Sequence, residues 1–210
     1  GNTVSPRPEI NRKGLSIMKL SYRFANPGDA AALLKIYAPY VENTSITFEY
    51  DVPSEEEFAR RIQSVTERFP WILCEDEGIP IGYAYASPAF TRAAYQWDAE
   101  LSIYIDRRYH RSGIASRLED MISALLTEQG FHHLYSRVTT PNDASIGFHK
   151  ARGFQEIGVY RNTGFKLGGW HDVIALEKDL LPCRSDQSPA PTKPLTLLDG
   201  KTIQKVFQTE

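Results

Sequence analysis

The strongest constraint on the fold is a strand that leads, within a few residues, through a loop of small residues into an amphipathic helix. Apolar residues alternate over 100–105, which predicts a strand, and recur at helical spacing over about 111–127, which predicts a helix. The first amide groups of a helix have no partner inside it, and the helix dipole adds positive potential there. Because Gly113 and Ala115 leave room beside these amides, the loop 110–115 is predicted to bind a diphosphate.

The rest of the body reads as one continuous series of strands and helices. The pattern predicts strands over 20–24, 69–75, 79–86, 133–138, 154–161 and 172–178, and helices over about 29–39, after residue 54 and from residue 142. Ser54 and Glu57 form a capping-box signature for the second helix. No internal repeat is visible, and 210 residues suffice for one sizeable domain.

Both ends of the chain differ from this body. Residues 1–17 are polar and lack a sustained period, and Met18 resembles a natural start, so we interpret them as an N-terminal extension or a remnant added to the natural chain. The body covers 18–181. Residues 182–210 are a proline-rich linker and C-terminal tail, in which the apolar residues of 195–207 could dock on the body at a place that the sequence does not indicate.

Composition excludes several classes of protein. The formal net charge of −2 gives no basic field for nucleic acid, and no apolar run approaches the length of a membrane helix. We therefore expect no nucleic-acid or membrane partner. The N-terminus lacks the apolar core of a signal peptide, so we also expect a cytoplasmic protein. The two cysteines, Cys74 and Cys183, are predicted to be free thiols. The histidines show no metal-ligand spacing, so no metal is expected.

The diphosphate loop carries a resemblance to a known family. It is similar to the acyl-CoA pyrophosphate loop of the GNAT superfamily, Gln/Arg-x-x-Gly-x-Gly/Ala, with His110 in place of the first Gln or Arg. The stretch 142–154 resembles the next signature of that superfamily, with an asparagine opening a short helix before Gly-Phe. Further segments, at 40–49, 69–71, 82–86, 92–100 and 164–173, resemble phosphinothricin and methionine sulfone/sulfoximine N-acetyltransferases.

The resemblance, which covers about 20–181, implies a fold, an activity and a cofactor site. The fold would be α+β, with a central mixed, mostly antiparallel twisted sheet that is flanked by helices and splayed at the acetyl-CoA site. The activity would be acetyl transfer from acetyl-CoA to the amine of a small amino-acid-like substrate, by a homodimer. The residues expected to bind acetyl-CoA are Ile103, Tyr104, Ile105, His110, Arg111, Ser112, Gly113, Ile114, Ala115, Asn142 and Ser145.

The catalytic candidates follow from what acetyl transfer needs. An ammonium must lose a proton before it attacks, and Glu100, at the start of the strand before the loop, is the candidate base. His149 could protonate the departing thiolate, shuttle a proton or orient the thioester. A salt-bridged glutamate at a strand edge and a structural histidine are the alternatives.

The acceptor site is predicted from side chains around the strand. Arg92 could anchor a substrate carboxylate or phosphinate, and Phe48, Tyr95 and Trp170 could form the walls of the pocket. A surface arginine and ordinary core aromatics are the alternatives. Two other functions also stay open, namely a protein or peptide N-acetyltransferase and a CoA-binding regulatory module without turnover.

Overall fold

The computed structural model describes residues 17–208, so most of the predicted N-terminal extension lies outside the described residues. The elements in chain order are β1 (Leu20–Phe24), α1 (Ala30–Asn43), α2 (Glu55–Thr66), β2 (Trp71–Asp76), β3 (Ile79–Pro88), β4 (Asp98–Ile105), α3 (Ile114–Gln129), β5 (His133–Thr139), α4 (Asp143–Ala151), β6 (Gln155–Lys166), β7 (Gly169–Asp179) and α5 (Gly200–Gln208). Short 3-10 turns lie between several of them.

The strands form one seven-stranded sheet in the order β1-β2-β3-β4-β5-β7-β6. Every neighbouring pair is antiparallel except β4 and β5, which are parallel. Their ladder covers only Asp98–Glu100 on β4 and His133–Tyr135 on β5. Beyond it the two strands no longer pair, which opens the sheet at its centre and confirms the predicted mixed, splayed fold.

Helices cover both faces of the sheet. On one face, α3 packs its apolar stripe, including Leu118 and Ile122, against Ile72 and Ala84 of the sheet. On the other face, α1 and α2 pack against the side chains that alternate with these. Residues 71–74 are all buried because both faces of β2 are covered, which explains why this strand is apolar without alternation.

One helix and two strands extend well beyond the bounds that the sequence predicted. Helix α1 continues past Pro39 to Asn43, because burial of Tyr40 and Val41 outweighs the hydrogen bond that a proline removes. Strands β6 and β7 continue to a two-residue turn at Leu167 and Gly168, both with positive φ. The pairing of β6 with β7 is irregular between Tyr160 and Gly164. This irregularity interrupts the alternation of apolar and polar residues, which is why the sequence predicted shorter strands.

The C-terminal segment lies against the body. The buried Gln129 side chain donates to the Lys193 carbonyl at 2.9 Å, and the Phe207 ring of α5 packs edge-on against Phe24 at 5.0 Å. Residues 182–208 thus run along the end of α3 and finish beside β1, the docking place that the sequence left open. The domain boundaries themselves stay predictions.

Cys74 is buried, Cys183 is exposed, and both are free thiols, as predicted. None of the helices within residues 17–208 is long and apolar enough to cross a membrane.

Candidate active site

A cleft of about 630 Å³ opens where β4 and β5 separate. It runs from the β4 edge to the start of α3 and is closed on the other side by β5 and α4. All of the residues predicted to bind acetyl-CoA line it, namely Ile103, Tyr104, Ile105, His110, Arg111, Ser112, Gly113, Ile114, Ala115, Asn142 and Ser145. Residues from three separate segments of the sequence therefore meet in one cavity.

The loop before α3 is shaped to leave helix amides open. Gly113 is the N-cap with φ +84°, and no side chain of the described part caps the helix. Arg111 also has a positive φ of 62°, and the Ser112 hydroxyl donates to the Tyr109 carbonyl. A Cβ on Gly113 would meet no neighbour within 4 Å, so glycine is needed here for its left-handed conformation. The exposed amides and the helix dipole make this an anion site.

The β4 edge supplies a second set of backbone groups. The β4–β5 ladder ends at Glu100 and Tyr135, while β4 remains paired with β3 up to Ile105. On the side that faces the cleft, the backbone of residues 101–105 is therefore not paired with β5. An extended chain with amide groups, or a carbonyl oxygen that gains negative charge, could bind to such an edge.

Glu100 lies at the point where the ladder ends, and it lines the cleft. Burial raises the pKa of its carboxyl above the ordinary value, and Arg137 partly opposes this rise. The Arg137 guanidinium lies 3.0 Å from Oε2 of Glu100. A carboxylate with a raised pKa is a better proton acceptor. Arg137, from β5, was not identified from the sequence, because nothing local marks it as the partner of Glu100.

His149 is almost fully buried at the back of the same cleft. Its Nε2 lies 3.0 Å from the Ser136 hydroxyl, and its Nδ1 has no hydrogen-bond partner among the described residues. Burial lowers the pKa of the imidazole to about 4, although the Glu119 carboxylate opposes the shift. At neutral pH the ring is therefore neutral and can make hydrogen bonds, but it is not an imidazolium acid.

Tyr40 is a second cleft residue that sequence analysis missed. Its hydroxyl donates to the Ile105 carbonyl and lies 3.0 Å from Nε2 of His110. Burial raises its pKa, so the hydroxyl keeps its proton. Tyr40 thereby ties α1 to the end of β4 and to the diphosphate loop. Tyr40 lies on the last turn of α1, beyond Pro39. The sequence predicted that the helix ends at residue 39, so Tyr40 was assigned to the loop that follows.

The comparisons with known proteins agree with this geometry. A model of the acetyltransferase (GNAT) domain matches residues 22–175. The chain belongs to the GNAT acetyltransferase family. It is an acetyl-CoA-dependent N-acetyltransferase, as the resemblance implied.

Curated and solved relatives cover most of this acetyltransferase. It is 34% identical to a phosphinothricin N-acetyltransferase of Streptomyces viridochromogenes, over 83% of this chain and 93% of the relative. It is 27% identical to an L-methionine sulfoximine/L-methionine sulfone acetyltransferase of Pseudomonas aeruginosa, over 80% and 99%. The crystal structure of a phosphinothricin acetyltransferase of Sinorhizobium meliloti in complex with AcCoA is 31% identical, with a TM-score of 0.77 and coverage of 82% and 94%.

The residues predicted to bind the acceptor do not line the cleft of this acetyltransferase. Arg92 and Tyr95 are exposed on the loop before β4. Phe48 packs on Gly164 of β6, and the exposed Trp170 contacts Phe165 at the end of the same hairpin. Their role in binding the acceptor therefore stays a prediction.

Proposed function

We propose that this acetyltransferase moves the acetyl group of acetyl-CoA to the α-amine of a small amino acid, such as phosphinothricin or methionine sulfone/sulfoximine, by direct attack. Glu100 carries the proposal. It is a half-buried carboxylate with a raised pKa, and it lies where β4 leaves β5, in a cleft that begins at the diphosphate loop. The names of the relatives support the acceptor class.

The residues of the cleft suffice by themselves to bind acetyl-CoA. The open amides after Gly113 and the nearby Arg111 would hold the diphosphate. The unpaired edge of β4 would hold the pantetheine arm by backbone hydrogen bonds. Asn142 and Ser145 already form a cap, since the Ser145 amide donates to the Asn142 side chain at 3.2 Å, and both face the cleft.

Glu100 acts as the general base in this mechanism. It accepts a proton from the acceptor's ammonium, directly or through one water, and leaves a neutral amine to attack the thioester carbonyl. Arg137 keeps the carboxylate in place and opposes the rise of its pKa that burial causes. An amide of the β4 edge near Ile103 would stabilise the negative charge on the carbonyl oxygen.

His149 has a different role from Glu100. Because its pKa is about 4, we assign it hydrogen bonding within the cleft, together with Ser136, and not proton donation as an imidazolium. The proton for the thiolate would then come from water or from the proton already held by Glu100.

We also propose that the enzyme is a homodimer that pairs through the β6–β7 hairpin. Residues 155–163 of β6 are all exposed, and they include Ile157, Val159 and Tyr160. A long edge strand with exposed apolar side chains tends to be covered by another chain. A twofold dimer is the commonest way to cover such a surface in a soluble protein.

The experiment that tests the function is CoA release, followed with a thiol reagent. Acetyl-CoA would be mixed with phosphinothricin, methionine sulfone, methionine sulfoximine and a panel of free amino acids. Saturable release with a member of this set is expected. Release only with peptides carrying a free N-terminus would favour a peptide N-acetyltransferase, and acetyl-CoA binding without release would favour a regulatory module.

A further inference from the structure

A second cavity, of about 330 Å³, lies beside the starts of β4 and β5, and residues 182–190 of the C-terminal segment form one of its walls. This segment is fixed at both ends. Just before it, the amide of Leu180 donates to the His132 carbonyl at 2.8 Å. At its end, the indole of Trp97 donates to the Ala190 carbonyl at 2.8 Å. The cavity is therefore part of the fold, although one wall has the composition of a linker.

Cys183 lies in this cavity in contact with two imidazoles. Its Sγ lies 3.7 Å from Nδ1 of His132 and 3.8 Å from Nε2 of His133. The cysteine is exposed, so a small molecule in solution can reach it. A thiol reacts as the thiolate, and an imidazole beside it can take the proton. Cys183 therefore has the surroundings of a reactive cysteine.

A carboxylate orients the ring of His133. Nδ1 lies 3.1 Å from Oδ1 of Asp98, whose side chain is 16% exposed. This contact assigns the proton of the neutral ring to Nδ1 and turns the lone pair of Nε2 to the thiol. Asp179 lies 3.4 Å from Nε2, but its side chain is 79% exposed, so water competes for that contact. Cys183, His133 and Asp98 thus provide a nucleophile, a base and a group that orients the base.

The other charged and titratable groups around the cavity leave this arrangement intact. Arg184 is paired with Asp186 at 3.0 Å, and both side chains are largely exposed. The ring of Tyr135 lies 6.1 Å from that of His133. Burial raises the pKa of Tyr135 to about 12, so its hydroxyl keeps its proton. The two imidazoles are therefore the groups that can accept the proton of the thiol.

Cys74 provides a contrast within the same chain. It is fully buried in the core, and burial raises the pKa of its thiol to about 11. The chain has only these two cysteines, so no second accessible thiol can attack a disulfide formed at Cys183. A group attached there stays until an external thiol removes it.

We propose that Cys183 is a modification site that forms mixed disulfides with small organic disulfides, and that His133 and Asp98 activate it. The thiol proton passes to Nε2 of His133 as Sγ attacks one sulfur of the disulfide. The S–S bond of the small molecule breaks, and its other sulfur leaves with the electron pair and takes the proton from the imidazolium. The products are the mixed disulfide and one small thiol, so the reaction needs no further oxidant.

The walls of the cavity indicate an organic disulfide. Trp97, Pro182 and Pro189 offer apolar contact to the carbon atoms that are bonded to the sulfur, and Gln187 and Ser188 offer hydrogen-bonding groups. The half of the disulfide that becomes attached would occupy this space. A peroxide would leave the same walls without contact.

The first test measures the rate of exchange with dipyridyl disulfide, from the absorbance of the thiopyridone that is released. At about pH 6 an ordinary thiol is almost fully protonated, so the chain unfolded in urea should react slowly. The folded chain should react about tenfold faster or more, through Cys183 alone. Because unfolding exposes both thiols, access cannot explain a faster reaction in the folded state. A folded rate equal to or below the unfolded rate overturns the proposal.

Two carboxylate variants test the orientation of His133. In Asp98→Asn the amide can donate to Nδ1 and leave the proton on Nε2, so exchange should slow about tenfold. Asp179→Asn, the same change beside the other nitrogen, is the matched control and should keep the rate. Equal slowing by both would mean that lost negative charge sets the rate, which overturns the activation by Asp98.

His133→Gln provides a second measurement if Asp98→Asn does not fold, as judged by thermal unfolding. Without the base, the dependence of the exchange rate on pH should match that of the unfolded chain. An unchanged profile in this variant overturns the assignment of His133.

Mass spectrometry identifies the modified residue. Cystine or glutathione disulfide should add one thiol per chain, on the peptide that contains Cys183, and a reductant should remove it. An adduct on Cys74, or none with either compound, overturns the proposal. These assays contain no acetyl-CoA, so their failure leaves the proposed function standing, and a chain that releases no CoA can still form the adduct.

Discussion

Glu100→Gln isolates the proton-transfer step of the proposed mechanism. Glutamine has nearly the same shape and can still accept a hydrogen bond from Arg137, which lies 3.0 Å from Oε2, but it cannot take a proton. A positioned general base contributes about 10²- to 10⁴-fold, so kcat should fall by that factor, or about 3–5 kcal/mol in the barrier. The residues expected to bind acetyl-CoA are unchanged, so its Kd should stay the same.

The pH profile makes this prediction more specific. Glu100 works when deprotonated and its pKa is raised, so wild-type kcat/KM should rise with pH through that raised pKa and then level off. Arg137 is the group that lowers the pKa, so Arg137→Ala should move the acidic limb to higher pH. Glu100→Gln should remove the limb.

Folding provides the control for the same variant. A carboxyl with a raised folded pKa stabilises the fold most below its ordinary pKa, and this contribution declines as pH rises through the raised value. Replacing it with neutral glutamine should therefore leave Tm at neutral pH unchanged or higher. A Glu100→Gln enzyme with normal kcat and a normal pH profile would refute the base assignment.

Three other predictions test separate parts of the structure. The pKa of His149 is lowered to about 4, so its neutral form stabilises the fold above about pH 6.5. About 3 kcal/mol of the free energy of unfolding should be lost as the pH falls to 4. Denaturant unfolding measured across this pH range should show the loss, and His149→Gln should reduce it. Gly113→Ala forces a φ of +84° on an alanine, so we expect a backbone strain of about 1–2 kcal/mol. Calorimetry should then show weaker binding of acetyl-CoA. Unchanged affinity would contradict the role of the loop in binding the diphosphate. Light scattering should give twice the mass of one chain, and Ile157→Glu, on the exposed face of β6, should give a monomer; a monomeric wild type would exclude the proposed dimer.

The sequence alone determined the parts of the site that depend on local physics. A strand, a turn at Gly113 and an amphipathic helix are neighbours in the chain, so their periodicities and the open amides at the helix start could be recognised directly. The cap formed by Asn142 is local for the same reason. All of the residues predicted to bind acetyl-CoA consequently line one cleft.

Only the tertiary structure decided which groups meet across the fold. Arg137 reaches Glu100 because β4 and β5 run side by side before they separate, and burial, which sets the raised pKa of Glu100 and the lowered pKa of His149, depends on the whole molecule. The place where the C-terminal segment docks depends on packing between distant segments. Periodicity reports which side of an element is buried, but it carries no information about the partner that covers it.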